Sequence, residues 1–458
     1  MPLTIGETIN IAEEYGVRVI DVIIAEAEIQ TNNSRDEILK NALSEFDHNL
    51  KAVDIGLTTG QSLLFGTIGA QLTDKKIKLF EDEFINRVLI NTLAAQVGNH
   101  SIGLRPCAGT GDSCPYTGLL KGMLDSGYDE VMVSEIACLL LKIGSMFRVG
   151  KTTTGCNMEG FGAGAAATAA AVVELKGGSP REMERAMVLA LSPTIANPCT
   201  PRVMVPGLCA THIGGAVLVG SLAAGLAVNT DIEVNVPIDV MLAMAAEIHP
   251  ISAKAIVPTV IKYMEPFFKT KESVERLVDE SVKEKERIRI EQTVAEAKSV
   301  AKKLAEGAAP ITRTLGEAVV GGSSQAVGSP TNAARIAHYL AEGKINKIKI
   351  ELYPELFARR GINVPGILMG AIFGASTADY KMYKEVMELV EKMGIQVEIL
   401  QADEHQLQRI TIETDGVSSM VDSLNRGGGR LVLRDARPSY EKALDIANEL
   451  GIVLVENQ

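Results

Sequence analysis

The chain has 458 residues, of which 46% are hydrophobic and 4% aromatic, and its formal net charge is −12. This length predicts two domains, with three as the alternative, and the apolar content is ample for packed cores. The acidic balance argues against nucleic acid or an anionic membrane as the main partner, because both attract basic surfaces. Six cysteines without a cationic, apolar leader at the N-terminus indicate a reducing, cytoplasmic setting, where thiols serve metal or redox chemistry.

The first 260 or so residues follow a helical pattern. Apolar residues recur at helical spacing from Thr4 to Glu28, and Ser34 with Glu37 forms a capping box that predicts a helix to about Ile55. Further helices are predicted over Phe80–Val97, after Pro115, over Glu130–Gly144, from Ser179 with its capping partner Glu182, over Ile213–Val228 and over Ile238–Ile248.

Two of the later segments need a choice between surface and interior. Ile213–Val228 is apolar and uncharged but is shorter than the roughly 20 residues that span a bilayer, so we expect a buried helix. Lys269–Glu306 is rich in Glu, Lys and Arg with apolar residues at helical spacing, which predicts a long solvated helix connecting two domains.

Polar loops separate the first helices. Thr59, Gly60 and Gln61 lie in one such loop, and Asn99 leads into a second that runs from Arg105 to Pro115. The second loop is dense in Gly, Ser, Thr and Cys. A plain connection would explain it, but long polar loops between buried helices are more often functional, and free backbone N–H groups there favour an anion site.

A third group of residues contains the strongest signal. Cys156 stands just before glycines that include Gly162 and Gly164, and an Ala-rich helix follows as far as Leu175. Cys199 and Cys209 lie in Pro-containing segments further on. Three cysteines on loops between small-residue helices could together hold one metal centre with an open position, as a catalytic centre requires. Buried apolar thiols are the alternative, and we expect that role for Cys138, which lies in an apolar helix.

From about Ala309 the period changes to that of a smaller α/β domain. Strands are predicted over Ile348–Tyr353, Ile395–Leu400, Ile410–Thr414, Leu431–Arg434 and Ile452–Val455. Helices are predicted over Asn332–Glu342, Lys381–Met393 and Pro438–Leu450. The predicted class is α+β multidomain: an all-α catalytic domain (1–265) of buried Gly/Ala-rich helices, a connector helix (266–308) and an α/β domain (309–458).

Over roughly residues 12–230 the sequence resembles the catalytic α region of the iron–sulfur-dependent L-serine dehydratases. The motifs that carry this likeness are Thr59-Gly60-Gln61, Asn99 with PCAGTGDSCP, GCNMEGFGAGAAATAAAVVELKGGSP, NPCTP and VPGLCATHIGGA. The second domain resembles the family's β region more weakly, through VGGSSQAVGSPTNAARIAHYL and KIELYPELFARRGINVPGILMGAIFG, the latter standing where the family has a strand and a Gly-rich turn. Here the α-like part precedes the β-like part.

The resemblance implies a 4Fe-4S cluster held by Cys156, Cys199 and Cys209. It also implies elimination of water from L-serine or a related β-hydroxy amino acid, giving a 2-keto acid and ammonia in an oxygen-sensitive reaction. We predict substrate binding by Thr59, Gly60, Gln61, Asn99, Thr110, Ser113, Ser323 and Ser324. Lys151 and His212 are the candidates for proton transfer, and His212 is also a candidate hydrogen-bond donor to the cluster. Cys107 and Cys114 lie on the predicted substrate loop.

Two other functions stay open. A cysteine desulfidase would use the same logic with sulfide as leaving group, and a non-catalytic iron–sulfur or zinc protein would use the second domain as a ligand sensor. We expect a homodimer with a small amino-acid substrate. Where the family has Ser-Ser-Ser-His-Thr, this chain lacks the His, so a lid bearing Ser323 and Ser324 would bind a carboxylate through hydroxyl and N–H groups. We also predict that Val at Gly162 or Gly164 overpacks the Ala-rich helix.

Overall fold

The structure, a computed structural model, describes residues 2–62, 64–74, 77–105, 113–148, 162–195, 207–267, 272–307, 328–376 and 379–456. The chain divides into two compact units, Met1–Ala301 and Lys302–Gln458. The named secondary-structure elements described in the first unit are helical, whereas the second contains a five-stranded sheet. This confirms the predicted α+β class with a helical N-terminal part.

The helices that begin in the first unit are α1 (Ile5–Tyr15), α2 (Val19–Thr31), α3 (Arg35–Ser44), α4 (Asp47–Thr58), α5 (Ile68–Gln71), α6 (Glu83–Ile102), α7 (Cys114–Asp125), α8 (Glu130–Arg148), α9 (Gly164–Leu175), α10 (Pro180–Leu191), α11 (Leu208–Asn229), α12 (Ile238–Met264), α13 (Glu272–Glu275) and α14 (Glu280–Glu306). A short 3₁₀ helix, Glu265–Phe267, follows α12.

The two capped helix starts hold, but other bounds differ from the prediction: α11 begins at Leu208 and not at Ile213, α12 continues past Ile248 to Met264, and two helices are shorter than predicted. Ser34 with Glu37 and Ser179 with Glu182 form the capping boxes that the sequence indicates. The periodic stretch from Thr4 to Glu28 is broken at Gly16, which takes a left-handed φ of 63° and donates its N–H to carbonyls at the end of α1. The helix opened by Ser34 stops at Ser44, because the chain turns to bury Phe46 before α4 begins.

Glycines allow the helices of the first unit to touch backbone to backbone. A Cβ added to Gly98 in α6 would lie 2.0 Å from the carbonyl oxygen of Ala52 in α4. A Cβ on Gly220 in α11 would lie 2.6 Å from the carbonyl oxygen of Ala165 in α9. No real side chain fits at such distances, so these helix pairs depend on glycine.

The Ala-rich helix α9 is buried as predicted, with Gly164 to Val173 in the core. It packs against α8, α10 and α11. The segment Cys209–Asn229 of α11 is long and apolar enough to cross a membrane by length and composition alone, and half of its apolar window is buried inside the protein. Its Ala216, Val217, Ala224 and Ala227 belong to the core of this unit, as in the predicted buried helix.

The charged region after α12 contains two helices where the sequence predicted one. The short α13 precedes α14, and Thr293 is the buried residue of α14. Ion pairs join Arg287 to Glu284 and Glu291 along the helix, and Lys262 of α12 to Glu296. The solvated character of α14 is therefore confirmed.

The second unit contains α15 (Gly328–Leu340), β1 (Ile345–Leu352), α16 (Pro354–Ala358), α17 (Arg360–Phe373), α18 (Tyr380–Met393), β2 (Gln396–Gln401), β3 (Leu407–Thr414), β4 (Ser419–Asn425), β5 (Leu431–Arg437) and α19 (Tyr440–Glu449). The strand order is β2-β1-β3-β4-β5, with β1 and β2 parallel and the other pairs antiparallel. Alternate residues of β1 and β3, among them Ile350 and Ile410, join α15 and α17 in one core.

Three predictions for this unit are wrong. Strand β4 was not predicted, because its Ser and Asp residues hide a strand that is nonetheless largely buried. Ile452–Val455 forms a single bridge, between Leu454 and Leu431, and no strand. The expected Gly-rich turn is helix α17, which contains Pro365 and packs so closely on α15 that a Cβ on Gly370 would lie 2.7 Å from the carbonyl oxygen of Thr331.

Candidate functional site

The starts of two helices meet at Gly164. A Cβ on this first residue of α9 would lie 3.0 Å from Cγ of Pro115 in the first turn of α7 and 3.2 Å from Cβ of Ala216 in α11. Both helices begin directly after segments in which the sequence predicts functional residues, at 106–112 and 149–161. The N-terminal turns of α7 and α9 therefore lie side by side, and each places the positive end of a helix dipole there.

Cys209 lies beyond the start of α9. Helices α9 and α11 run in parallel, since Gly164 meets Ala216 while the next turns of α9 meet Gly220. Cys209 precedes Ala216 by about two helical turns, so it stands about 10 Å beyond Gly164, on the side from which the chain enters α9. This thiol is buried in the first turn of α11, directly after Gly207. A helix start is where a thiolate is favoured.

His212 follows Cys209 by three residues and is also buried. Residues at this spacing lie on one face of a helix, so the two side chains are neighbours on α11. This placement suits the predicted role of His212 beside a metal-bound thiolate.

Two predicted substrate-binding residues hold the ends of the predicted substrate loop. Asn99, in the last turns of α6, accepts a hydrogen bond through its Oδ1 from the N–H of Leu104 at 3.0 Å. Ser113, the residue before α7, donates through its hydroxyl to the carbonyl oxygen of Arg105 at 3.2 Å. These contacts fix the backbone at Leu104 and Arg105 and the residue before α7, whereas residues 106–112 lie outside the described ranges.

The sequence reasoning missed two residues that support the same loop. Buried Asn49 of α4 accepts from the N–H of Arg105 at 2.8 Å and donates to its carbonyl oxygen at 3.0 Å. Nε2 of His48 lies 2.9 Å from the carbonyl oxygen of Gly103. A buried Asn in an otherwise apolar helix face was the available signal, because a buried amide requires partners.

Thr59 and Gln61 are exposed at the end of α4, whereas Gly60 between them is buried. A Cβ on Gly60 would lie 2.9 Å from the carbonyl oxygen of Ile55 and 3.1 Å from Cγ1 of Val97. The glycine thus keeps the turn against α6, and it delivers the next residue, Ser62, into the interior.

Ser62 begins a polar chain that the sequence did not reveal. Its Oγ lies 2.6 Å from Nδ1 of His100, whose Nε2 lies 3.1 Å from the side-chain amide of Gln96. The same amide lies 2.9 Å from Sγ of Cys114. Gln96 and Cys114 are buried, whereas His100 keeps one edge exposed. The chain connects the turn after α4, the end of α6 and the start of α7.

The hydrogen bonds of this chain have a consistent direction. The Ser62 oxygen accepts from the N–H groups of Leu64 and Phe65 at 3.0 and 3.1 Å. The thiol of Cys114 donates to Oε1 of Gln96, and the NH₂ group of the same amide faces Nε2 of His100. Nε2 of the imidazole therefore accepts from Gln96, and Nδ1 carries the proton shared with Oγ of Ser62. Partial burial disfavours the charged imidazolium and so lowers the pKa of His100.

Two other cysteines lie among the described residues, one in the apolar core and one in the polar chain. Cys138 lies in the core as expected, and burial, with a smaller effect of nearby Glu135, raises its pKa to about 11. Cys114 is also buried and belongs to the polar chain.

The remaining predicted site residues lie outside the residues that the structure describes: Cys107, Thr110, Lys151, Cys156, Cys199, Ser323 and Ser324. Within the described ranges no group of three His, Cys, Asp or Glu side chains is placed to hold a metal ion. Two of the three predicted ligands were outside that search.

Neither a comparison with protein-family models nor one with curated proteins found a match for this chain. The likeness to the L-serine dehydratases therefore depends on the motifs themselves. Chemically, the described site offers a buried thiol at a helix start, a neighbouring imidazole and two adjacent helix N-termini. This set suits a soft metal and an anionic ligand.

Proposed function

We propose that the protein is a 4Fe-4S-dependent lyase that deaminates L-serine or a related β-hydroxy amino acid to a 2-keto acid and ammonia. The observation that carries this proposal is the position of Cys209. It is buried at the start of α11, about 10 Å beyond the point where α7 and α9 begin together. The same three helices follow the segments that carry the family-like motifs.

The described residues fit an iron–sulfur cluster. Cys209 would hold it together with Cys156 and Cys199, and thiolates are the ligands that such clusters require. The helix start at Cys209 favours the deprotonated sulfur, and His212 on the same face supplies a hydrogen-bonding group beside it. When bound, a cluster with one open iron supplies a Lewis acid for the leaving oxygen.

The chain's own residues would bind and orient the substrate. The positive dipole ends at the starts of α7 and α9 favour a carboxylate, and Asn49, Asn99 and Ser113 hold Leu104 and Arg105 beside the start of α7. Thr110 remains a candidate from the sequence. Ser323 and Ser324 remain substrate-binding candidates from the sequence, outside the described residues. Such contacts would orient the substrate so that its Cα–H bond points toward a base.

The proton and leaving-group balance is simple. Lys151 or His212 accepts the Cα proton, and the β-hydroxyl leaves with a proton as water. The enamine that remains tautomerises and takes up water, releasing ammonia and the 2-keto acid. The reaction has no net redox change.

The proposal is tested with protein purified and reconstituted without oxygen. Wild type, Cys209→Ala and Cys138→Ala are compared for iron content, visible absorption and release of keto acid, ammonia and sulfide from L-serine and L-cysteine. We expect keto acid and ammonia from serine, loss of cluster and activity in Cys209→Ala, and retention of both in Cys138→Ala, whose sulfur lies in the apolar core.

Three outcomes would contradict the proposal. Sulfide release from cysteine without turnover of serine would make the enzyme a desulfidase. A colourless, zinc-loaded protein without activity would indicate a non-catalytic metal protein. Equal iron content in Cys209→Ala and wild type would remove Cys209 from the ligand set. We further propose a cytoplasmic homodimer, which sedimentation of the reconstituted protein tests.

A further inference from the structure

A cavity of about 430 Å³ lies in the first unit where α1 and α9 end. Its walls combine apolar side chains, among them Val17 and Met183, with main chain at Gly16 and Gly177. Both glycines have left-handed φ, of 63° and 67°, and a Cβ on either would meet no atom within 4 Å. Small, mostly apolar cavities with one or two polar groups are the usual form of a small-molecule site.

Glu174 is the buried acid of this cavity. Its side chain is 8% exposed, and no hydrogen bond from another described residue reaches its carboxylate. The nearest cation is Arg18, whose Nη1 lies 3.5 Å from Oε1 of Glu174. That distance exceeds the 2.7–3.2 Å of an ordinary N–H···O bond. Glu174 is therefore a buried carboxylate that is ion-paired with Arg18 but accepts no hydrogen bond from another described residue.

Arg18 reaches Glu174 only at ion-pair distance, because four of its five N–H donors are used by other carboxylates. Its Nε donates to Asp21 at 3.1 Å, and its Nη1 donates to Glu135 at 2.8 Å. Its Nη2 donates to Asp21 at 3.0 Å and to Glu135 at 2.9 Å. The guanidinium is held edge-on by two other carboxylates, so only one Nη1 hydrogen is left, at long range, for Glu174.

The charges of this region do not balance. Arg35 donates to Asp21 at 3.0 Å and to Glu135 at 2.7 Å, so two arginines share three carboxylates, the third being Glu174. One negative charge is left over beside the cavity. Burial raises the pKa of Glu174, which is the expected response of an uncompensated carboxylate.

The negative ends of two helix dipoles add to this excess of negative charge. Both α1 and α9 present their C-terminal ends to the cavity, and such ends attract cations. The opposite dipole, at the start of α10, is already capped by Ser179 and Glu182. A positively charged group in the cavity would therefore meet Glu174 and two favourable helix ends.

We propose that this cavity binds a small organic monocation, a primary ammonium group on an apolar body. The ammonium group would donate hydrogen bonds to Glu174 and neutralise the excess charge, and the body would pack on Val17 and Met183. The apolar walls favour an alkylammonium over a hydrated metal ion.

This site is separate from the proposed lyase site. Glu174 lies at the far end of α9 from Gly164, about 15 Å along the helix axis. Binding of a ligand to this cavity can therefore be measured in protein that carries no cluster. A negative result there would leave the proposed lyase function untouched.

The test is calorimetric titration of the full chain with n-butylammonium at pH 7. Neutral n-butanol and anionic butyrate serve as probes of the same body, and potassium chloride as an inorganic cation. We expect binding of n-butylammonium alone, and at least about tenfold weaker binding by Glu174→Gln, which keeps the shape and removes the charge. Glu14→Gln is the matched control, because Glu14 is exposed on the same helix and is not among the residues that line the cavity.

A second variant fills the cavity from its rim. Val17 is 41% exposed, so Val17→Phe adds volume without entering the core, and it should abolish binding with the unfolding transition unchanged. Three results would overturn the proposal: no heat from n-butylammonium with wild type, equal affinity for n-butanol or potassium, or unaltered affinity in Glu174→Gln.

Discussion

Gly164 of α9 lies against Pro115 of α7 so closely that an added Cβ would be 3.0 Å from the proline Cγ. Gly162, one half-turn earlier, has more room: its Cβ would lie 3.5 Å from Cδ2 of Leu191, an ordinary contact. The sequence suggested that the two glycines are equivalent, and the structure separates them.

We therefore expect Gly164→Ala to destabilise the protein by about 1–3 kcal/mol, because neither the proline ring nor Ala216 can move far. Gly162→Ala is the control and should change the free energy of unfolding by much less. Urea unfolding followed by circular dichroism measures both. Equal effects would mean that α7 and α9 are not in close contact.

Ser62 should be important for stability although it is a single hydroxyl. In Ser62→Ala the N–H groups of Leu64 and Phe65 and Nδ1 of His100 lose their shared partner. We expect a loss of about 1–3 kcal/mol in the free energy of unfolding, typical of buried groups left unsatisfied. Exposed Ser44, which donates to the carbonyl oxygen of Asn41, provides the control variant Ser44→Ala, and a similar loss there would argue against the polar chain.

His100 should make stability depend on pH in a defined direction. Its pKa is below the ordinary 6.5, because the folded protein disfavours the charged imidazolium. The folded state is therefore favoured above pH 6.5, and this contribution is lost as the pH falls through the lowered pKa. His100→Gln should flatten the stability profile below pH 6.5. NMR titration of His100 gives the pKa directly, and a value above 6.5 would contradict the assignment.

Cys138 should be inert in the native protein. With its pKa raised to about 11, only about 0.1% of the thiol is ionised at pH 8, and the side chain is buried. Iodoacetamide at pH 8 should leave Cys138 unmodified in native protein and label it rapidly in urea, as peptide mass spectrometry would record. Rapid labelling without urea would show that this part of α8 opens.

Glu174 should reduce stability at neutral pH when no cation is added. Its raised pKa means that folding favours the protonated acid, so the free energy of unfolding falls as the pH rises from about 4.5 through the raised value. Glu174→Gln should lack this decline and be more stable than wild type at pH 7. Glu14→Gln should keep the wild-type profile. If the stability of Glu174→Gln depended on pH as that of wild type does, Glu174 would be solvated in the folded protein.

Local features of this protein could be predicted because their partners are close in sequence. The capping boxes at Ser34 and Ser179 join residues three apart, so the residue types alone specify the hydrogen bonds. The burial of the Ala-rich helix was predictable for a similar reason, since a helix that is apolar on every side must be covered. The break at Gly16 was missed, because the periodic apolar pattern continues across it.

The relationships that matter for function join distant segments, and only the tertiary structure decided them. Ser62 reaches His100 because Gly60 turns the chain against α6, and Gln96 reaches Cys114 because α7 packs back on α6. The excess charge at Glu174 exists only because Arg18 is taken by Asp21 and Glu135. Each contact depends on how helices pack, and packing depends on the shapes of all the surfaces that meet, which residue types along the chain do not specify one at a time.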